Sequence, residues 1–139
     1  MIKLTDEMRE FINHAFEDGR PCILATASPT GEPSLSFRGS MMVYDDEHLA
    51  YWERSKRAAL EHIEANPKVV VMFRDPATRK GWRFFGEARV YREDPVRQEV
   101  MARVVPRELD TEAKRAGYAV VIRVDRVVIL SGEVIQQRE

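Results

Sequence analysis

The sequence predicts a mainly β protein with flanking helices: an antiparallel sheet of six to seven strands, closed or nearly closed into a barrel. Three observations carry that expectation. Short runs of apolar or alternating residues recur along the chain, bounded by Gly, Pro and Asp turn signals. Most of the links between them are too short for parallel crossovers. The longest run, GWRFFGEARVY (81–91), alternates with period two, so one face of it is buried. Many short strands with antiparallel links favour a barrel, although the pattern alone leaves an α+β sandwich open.

The first element is a helix. Leu4, Met8, Phe11, Ile12, Ala15 and Phe16 share one face at helical spacing. Thr5 is placed to cap it, Asp6 and Glu7 fill its first turn, and Asp18-Gly19 ends it. Next, CILATAS and EPSLSFR flank Pro29-Thr30-Gly31, a tight turn with Pro at its start and Gly free to take positive φ. SMMVY and HLAYWE flank Asp45-Asp46-Glu47 as a second hairpin. A helix capped by Ser55 and stopped by Pro67 follows. KVVVMFR is then a continuous apolar strand. After GWRFFGEARVY, Asp94-Pro95 opens another helix that Pro106 stops. Residues 107–117 read as a short helical or irregular connection. YAVVIRV and RVVIL close the chain as two strands.

Composition bounds the function. The 139 residues fit one domain, 1–139, with 44% hydrophobic and 32% charged residues. A formal net charge of -1 gives no basic excess for nucleic acid. No apolar run reaches the roughly 18 residues of a membrane helix. No signal-peptide core opens the chain, so the cytoplasm is the expected compartment. The single cysteine, Cys22, excludes an internal disulfide and sits in an apolar strand as a packed small residue. His14, His48 and His62 are scattered without metal-ligand spacing, and no nucleophile elbow, Walker loop or dinucleotide fingerprint occurs. Any chemistry is then expected to come from a bound cofactor.

One stretch breaks a physical rule. In YWERSKRAALEHIEANP (51–67), Arg54, Lys56 and Arg57 surround the start of a helix while Glu61 and Glu64 sit toward its end. A helix start is partially positive, so this order is the unfavourable one, at about 0.3–1 kcal/mol per charge. Three readings compete. The cations are solvated, or Arg57 pairs with Glu61 in the weaker base-to-acid orientation, or free N–H groups, the Ser55 hydroxyl and the cations converge on a bound anion. Two further basic features lie elsewhere. In FRGS (37–40), Arg38 ends a strand beside Gly39, which lets a ligand approach the backbone closely. In DPATRKGWRF (75–84), Arg79 and Lys80 precede Gly81 and Trp82. Taken alone, the first reads as a surface arginine at a strand end and the second as a hairpin tip.

Together, the Pro-Thr-Gly hairpin, the strand ending in SFRGS, the passage YDDEHLAYWERSKRA, the strand ANPKVVVMF and DPATRKGWRFFGEARVY resemble the pyridoxamine 5′-phosphate oxidase-like family of flavin-binding split barrels. The likeness is to its short, single-domain members and covers most of the chain. It implies a six-stranded antiparallel split barrel of the FMN-binding type, a homodimer with two cofactor sites between subunits, and FMN as cofactor. By the same resemblance Arg38, Ser55, Lys56 and Arg57 hold the FMN phosphate and Ser40 lies near the ribityl chain. Trp52 and Glu53 line the isoalloxazine edge through backbone groups, and Arg79, Lys80 and Trp82 approach from the other subunit. The anion reading of the Ser55 helix is the one the resemblance selects.

The pyridoxamine phosphate oxidases proper carry a longer C-terminal part with Arg and His residues for substrate phosphate. This sequence reaches VVILSGEVIQQRE without that motif, so vitamin B6 oxidation is not expected. A flavin-dependent oxidoreductase acting on a small substrate, its catalytic residues unassigned, is the leading expectation. A flavin carrier or sensor without turnover is the alternative, and reduced deazaflavin or haem are alternative ligands. Tyr51 and Glu53 are the nearby polar groups.

Overall fold

The structure is a computed structural model that describes residues 1–54, 58–93 and 95–139. The expected mainly antiparallel sheet is present, with eight strands and helices set against it. The strands are β1 (Cys22–Ala27), β2 (Pro33–Arg38), β3 (Met42–Asp45), β4 (His48–Glu53), β5 (Lys68–Arg74), β6 (Gly81–Tyr91), β7 (Tyr118–Ile129) and β8 (Val134–Gln137). The helices are α1 (Asp6–Asn13), α2 (Ala58–Ala65), α3 (Val96–Arg103) and α4 (Glu112–Arg115), with a 3-10 turn at Pro106–Glu108. The sheet order is β2-β1-β5-β6-β7-β4-β3, with β8 paired to β7. The sheet is curled but not closed, as in a split barrel.

Local chemistry explains the elements. The Thr5 hydroxyl accepts a hydrogen bond from the Met8 amide at 3.1 Å, so α1 starts where the sequence places its cap. Met8 and Ile12 bury its apolar face. The chain reverses after α1 with Gly19 at φ +74, a left-handed conformation that glycine adopts without a Cβ penalty. The β1–β2 hairpin pairs Ala27 with Pro33 and Cys22 with Arg38, which carries Arg38 to the far end of the sheet edge.

The two closing strands expected from the sequence are one. β7 runs unbroken past Asp125, where it bulges against β6: Phe85 pairs with Arg126 and Gly86 with Val124. Gly86 admits the bulge, since a Cβ there would lie 2.1 Å from the Arg123 carbonyl oxygen. Arg123 and Arg138 ion-pair with the Asp125 carboxylate at 2.8 and 3.0 Å. A buried strand with an aspartate in its middle reads as two strands because the bulge turns that residue out of the ladder. β8, in the polar VIQQ, carries no periodic signal and goes unseen in the sequence.

The core lies inside the curl and takes in Leu24, Val71, Phe84, Ile122 and the buried face of α1. β4 is buried on both faces. Leu49 and Tyr51 point into this core, while Ala50 and Trp52 point the other way into a second cluster with Val100, Val104 and Leu109. That cluster packs α3 and the connection after it onto the outside of β4. The strand therefore ends with Trp52 beneath the connection and Glu53 turned inward, fully buried.

Candidate functional site

The site forms where β2 and β4 end. β2 delivers Arg38, the turn after it supplies Gly39 and Ser40, and β4 delivers Trp52 before the chain continues to Arg54. Ser36, Phe37, Arg38, Gly39, Ser40, Trp52, Arg54 and Glu108 line one cavity of about 200 Å³. Three residues nominated by the sequence, Arg38, Ser40 and Trp52, are thus brought together.

Each is held in place. The Arg38 Nη1 donates to Glu53 Oε2 at 2.7 Å, and its Nε donates to Ser36 Oγ at 3.2 Å. The same guanidinium lies over the Tyr51 ring, 5.1 Å from its centre. A charge-assisted pair whose acid is fully buried fixes the geometry of the arginine. The buried Ser40 hydroxyl accepts the Trp52 amide at 2.9 Å and donates back to the Trp52 carbonyl at 3.3 Å. This staple ties the β2–β3 turn to β4. The backbone polar groups of Trp52, expected from the resemblance to face a flavin, are engaged by Ser40. Glu53, from the same nomination, sits at the inner end of the site as the counter-charge of Arg38. Burial holds the Tyr51 phenol above its ordinary value, so it stays protonated at neutral pH.

The connection after α3 closes the outer side. Trp52 Nε1 donates to the Lys114 carbonyl at 2.5 Å, and the Arg97 guanidinium lies over the Trp52 ring at 5.0 Å. Glu108, on the 3-10 turn, ion-pairs with Arg54 at 3.0 Å with its side chain only 11% exposed. A Cβ on Gly39 would lie 2.3 Å from Glu108 Oε1 and 2.7 Å from the Phe16 ring. The sequence expects Gly39 to admit a ligand. In the structure the group it admits is the carboxylate of Glu108. Nothing in the irregular stretch VPRELD signals that role, because it depends on a loop docking far along the chain.

Ser55, Lys56 and Arg57 lie outside the described residues; the described chain reaches the pocket wall at Arg54 and resumes at α2. Arg79, Lys80 and Trp82 line a separate cavity of about 370 Å³ with Glu7 and Leu130. Lys80 ion-pairs with Glu7. Trp82 is only 5% exposed and packs among Phe11, Phe73 and Phe84. Arg79 adopts φ +63, a left-handed conformation uncommon for a residue with a side chain. Within one chain the structure does not bring these three residues to the Arg38 pocket. Among the described residues no group of three or more His, Cys, Asp or Glu side chains is placed to hold a metal ion, and no helix is long and apolar enough to cross a membrane.

An open antiparallel barrel with a basic, strand-end pocket defines a protein of the split-barrel class. The sequence model of pyridoxamine 5′-phosphate oxidase matches residues 4–129, and the chain belongs to that family. HupZ of Group A Streptococcus is similar in structure at a TM-score of 0.78 and 24% identity, covering 95% of this chain and 98% of its own. A candidate pyridoxamine 5′-phosphate oxidase of Lactobacillus delbrueckii reaches a TM-score of 0.69 at 28% identity, covering 90% and 93%. An FMN-binding protein of Syntrophomonas wolfei reaches 0.69 at 12% identity, covering 94% and 89%. No curated protein matches the sequence.

Proposed function

We propose that the chain binds FMN with its phosphate at the Arg38 pocket and serves as a flavin-dependent oxidoreductase on a small substrate. The observation that carries this reading is the convergence of Arg38, Ser40 and Trp52 on one cavity whose wall ends at Arg54, the residue before Ser55-Lys56-Arg57. In a chain of this family, that segment is the natural partner of a phosphate dianion.

The cavity fits the group in part. At about 200 Å³ it is smaller than the roughly 300–1,000 Å³ of sites that enclose a whole ligand of this size. It suits a phosphate and the start of its chain, so the ring needs a further wall. A second copy of the protein is the proposed source of that wall. The outward side of β2, β1 and β5 carries an apolar row: Leu35 and Phe37 are 71% and 70% exposed, in register with Ala25 and Ile23, and through them with Val70 and Met72. Such a surface is expected to be covered. A partner there is also the proposed route by which Arg79, Lys80 and Trp82 approach the cofactor.

The residues present divide the work. Arg38 offers a fixed positive edge, and the buried Glu53 holds it rigid. The Ser40–Trp52 staple sets the width of the pocket floor. Lys56 and Arg57 supply the charge that makes a dianion preferred over a neutral ligand. A bound flavin would supply reversible hydride chemistry at its own ring.

The test is an FMN titration of wild-type protein and of a Lys56→Ala/Arg57→Ala double variant, followed by flavin absorbance and fluorescence. Wild type is expected to bind at micromolar concentration and the double variant to lose at least about tenfold, a change of about 1.4 kcal/mol. Wild-type protein that ignores FMN would overturn the reading, and reduced deazaflavin and haem would be tried next.

A further inference from the structure

The described arginines of the pocket each come with a carboxylate from the same chain. Arg38 meets Glu53 from inside the barrel, and Arg54 meets Glu108 from outside. The two pairs differ in where the acid sits. Glu53 is on the same strand that forms the pocket and points away into the core. Glu108 comes from the connection between α3 and α4, and its carboxylate lies in the cavity lining itself. One oxygen is against the Gly39 backbone and the other is 3.0 Å from Arg54. An anion bound between the β2–β3 turn and Arg54 would need the same place.

We propose that Glu108 is a built-in anion that occupies the phosphate position, and that a ligand phosphate binds by displacing it from Arg54. The inference rests on the pocket taking a phosphate, as argued above. A phosphate beside the Glu108 carboxylate meets like-charge repulsion at close range, even though one guanidinium can hold two acids, as Arg123 holds Glu87 and Asp125. Either the Glu108 side chain swings away from Arg54, or the phosphate binds against its charge. In both cases Glu108 lowers phosphate affinity and leaves the affinity of a neutral ring untouched. Gly39 has a reason to be glycine in the ligand-free chain, since a side chain there would expel the Glu108 carboxylate. The turn is held at both ends, by Val104 and Leu109 in the second cluster and by Lys114 donating to the Arg107 carbonyl at 3.2 Å, so the Glu108 side chain is the part free to swing from Arg54. The device makes the pocket selective, because only a ligand that brings more negative charge than one carboxylate wins the exchange.

The experiment compares wild type with Glu108→Gln, which keeps the shape and removes the charge, and with Glu108→Ala. Dissociation constants are measured for FMN and for riboflavin, which lacks the phosphate. Thermal shifts with inorganic phosphate are measured from each protein's own ligand-free midpoint. Both variants are expected to bind FMN about tenfold more tightly than wild type, with riboflavin unchanged and a larger phosphate-induced shift. Equal FMN affinity in all three proteins would overturn the inference. So would a parallel change for FMN and riboflavin, which would make Glu108 a clamp on the connection. If FMN bound none of them while phosphate still stabilised the variants more than wild type, the flavin reading would fail and this one would stand. If phosphate moved none of them, this one would fail.

Discussion

At the end of β2 the guanidinium of Arg38 is gripped by its own chain, by Glu53, Ser36 and the face of Tyr51. The cost of burying that charge is met by a carboxylate that is itself fully buried. Removing the cation takes the opposing charge from a fully buried acid, so Arg38→Ala should destabilise the fold by roughly 3 kcal/mol. Urea denaturation measures this, and a change within about 0.5 kcal/mol, typical of a surface position, would contradict the pairing. Arg38 was legible in the sequence as a strand-end cation. Its counter-charge was not, because Glu53 was read for its backbone and faces inward only once β4 is buried on both sides. Cys22 was legible throughout: a small residue in an apolar run packs in the core, and burial pushes its thiol up to about 12.

At the scale of elements, the hairpins and the start of α1 were read correctly because their signals are local, whereas α1 ends at Asn13 and the chain turns before the expected stop at Asp18-Gly19. The Thr5 cap, the Pro-Thr-Gly turn and the alternation of β6 each depend on a handful of adjacent residues. β7 failed as a reading for the opposite reason. Asp125 is a break by composition, yet its place is a bulge set by β6 and by Arg123 and Arg138. Gly86 is the partner that makes the bulge possible. A Cβ there would meet backbone, which cannot swing aside, so Gly86→Ala should cost roughly 1–3 kcal/mol by the usual penalty for overpacking. A shift in urea midpoint with unchanged m-value measures it. An alanine variant as stable as wild type would mean that β6 and β7 are not so closely opposed. The connection after α3 was legible as a short helical or irregular link, which its 3-10 turn and α4 match, but not as the element that brings Glu108 and the Lys114 carbonyl onto the site.

For the whole molecule, the eight-stranded sheet is open at β2, which pairs with β1 alone among the described residues. Leu35 and Phe37 stand out from its edge strand, and an apolar edge of that kind is a liability unless it is paired or covered. Wild-type protein is expected to sediment as a dimer, and Phe37→Asp as a folded monomer with weakened flavin binding. A monomeric wild type would remove both the dimer and a cofactor wall built from two chains. The near-neutral net charge fits the same picture. Positive charge is placed locally: Arg38 and Arg54 stand at one end of the barrel, each against a carboxylate of the same chain.

The account turns on a phosphate at that end. Its most direct test is calorimetric titration of the full-length wild-type chain with FMN and with riboflavin under the same buffer. The account predicts one FMN per chain at micromolar affinity and riboflavin weaker by at least about tenfold, since a dianion gripped by several cations contributes more than 1.4 kcal/mol. Equal affinities, or no heat with either ligand, would contradict it.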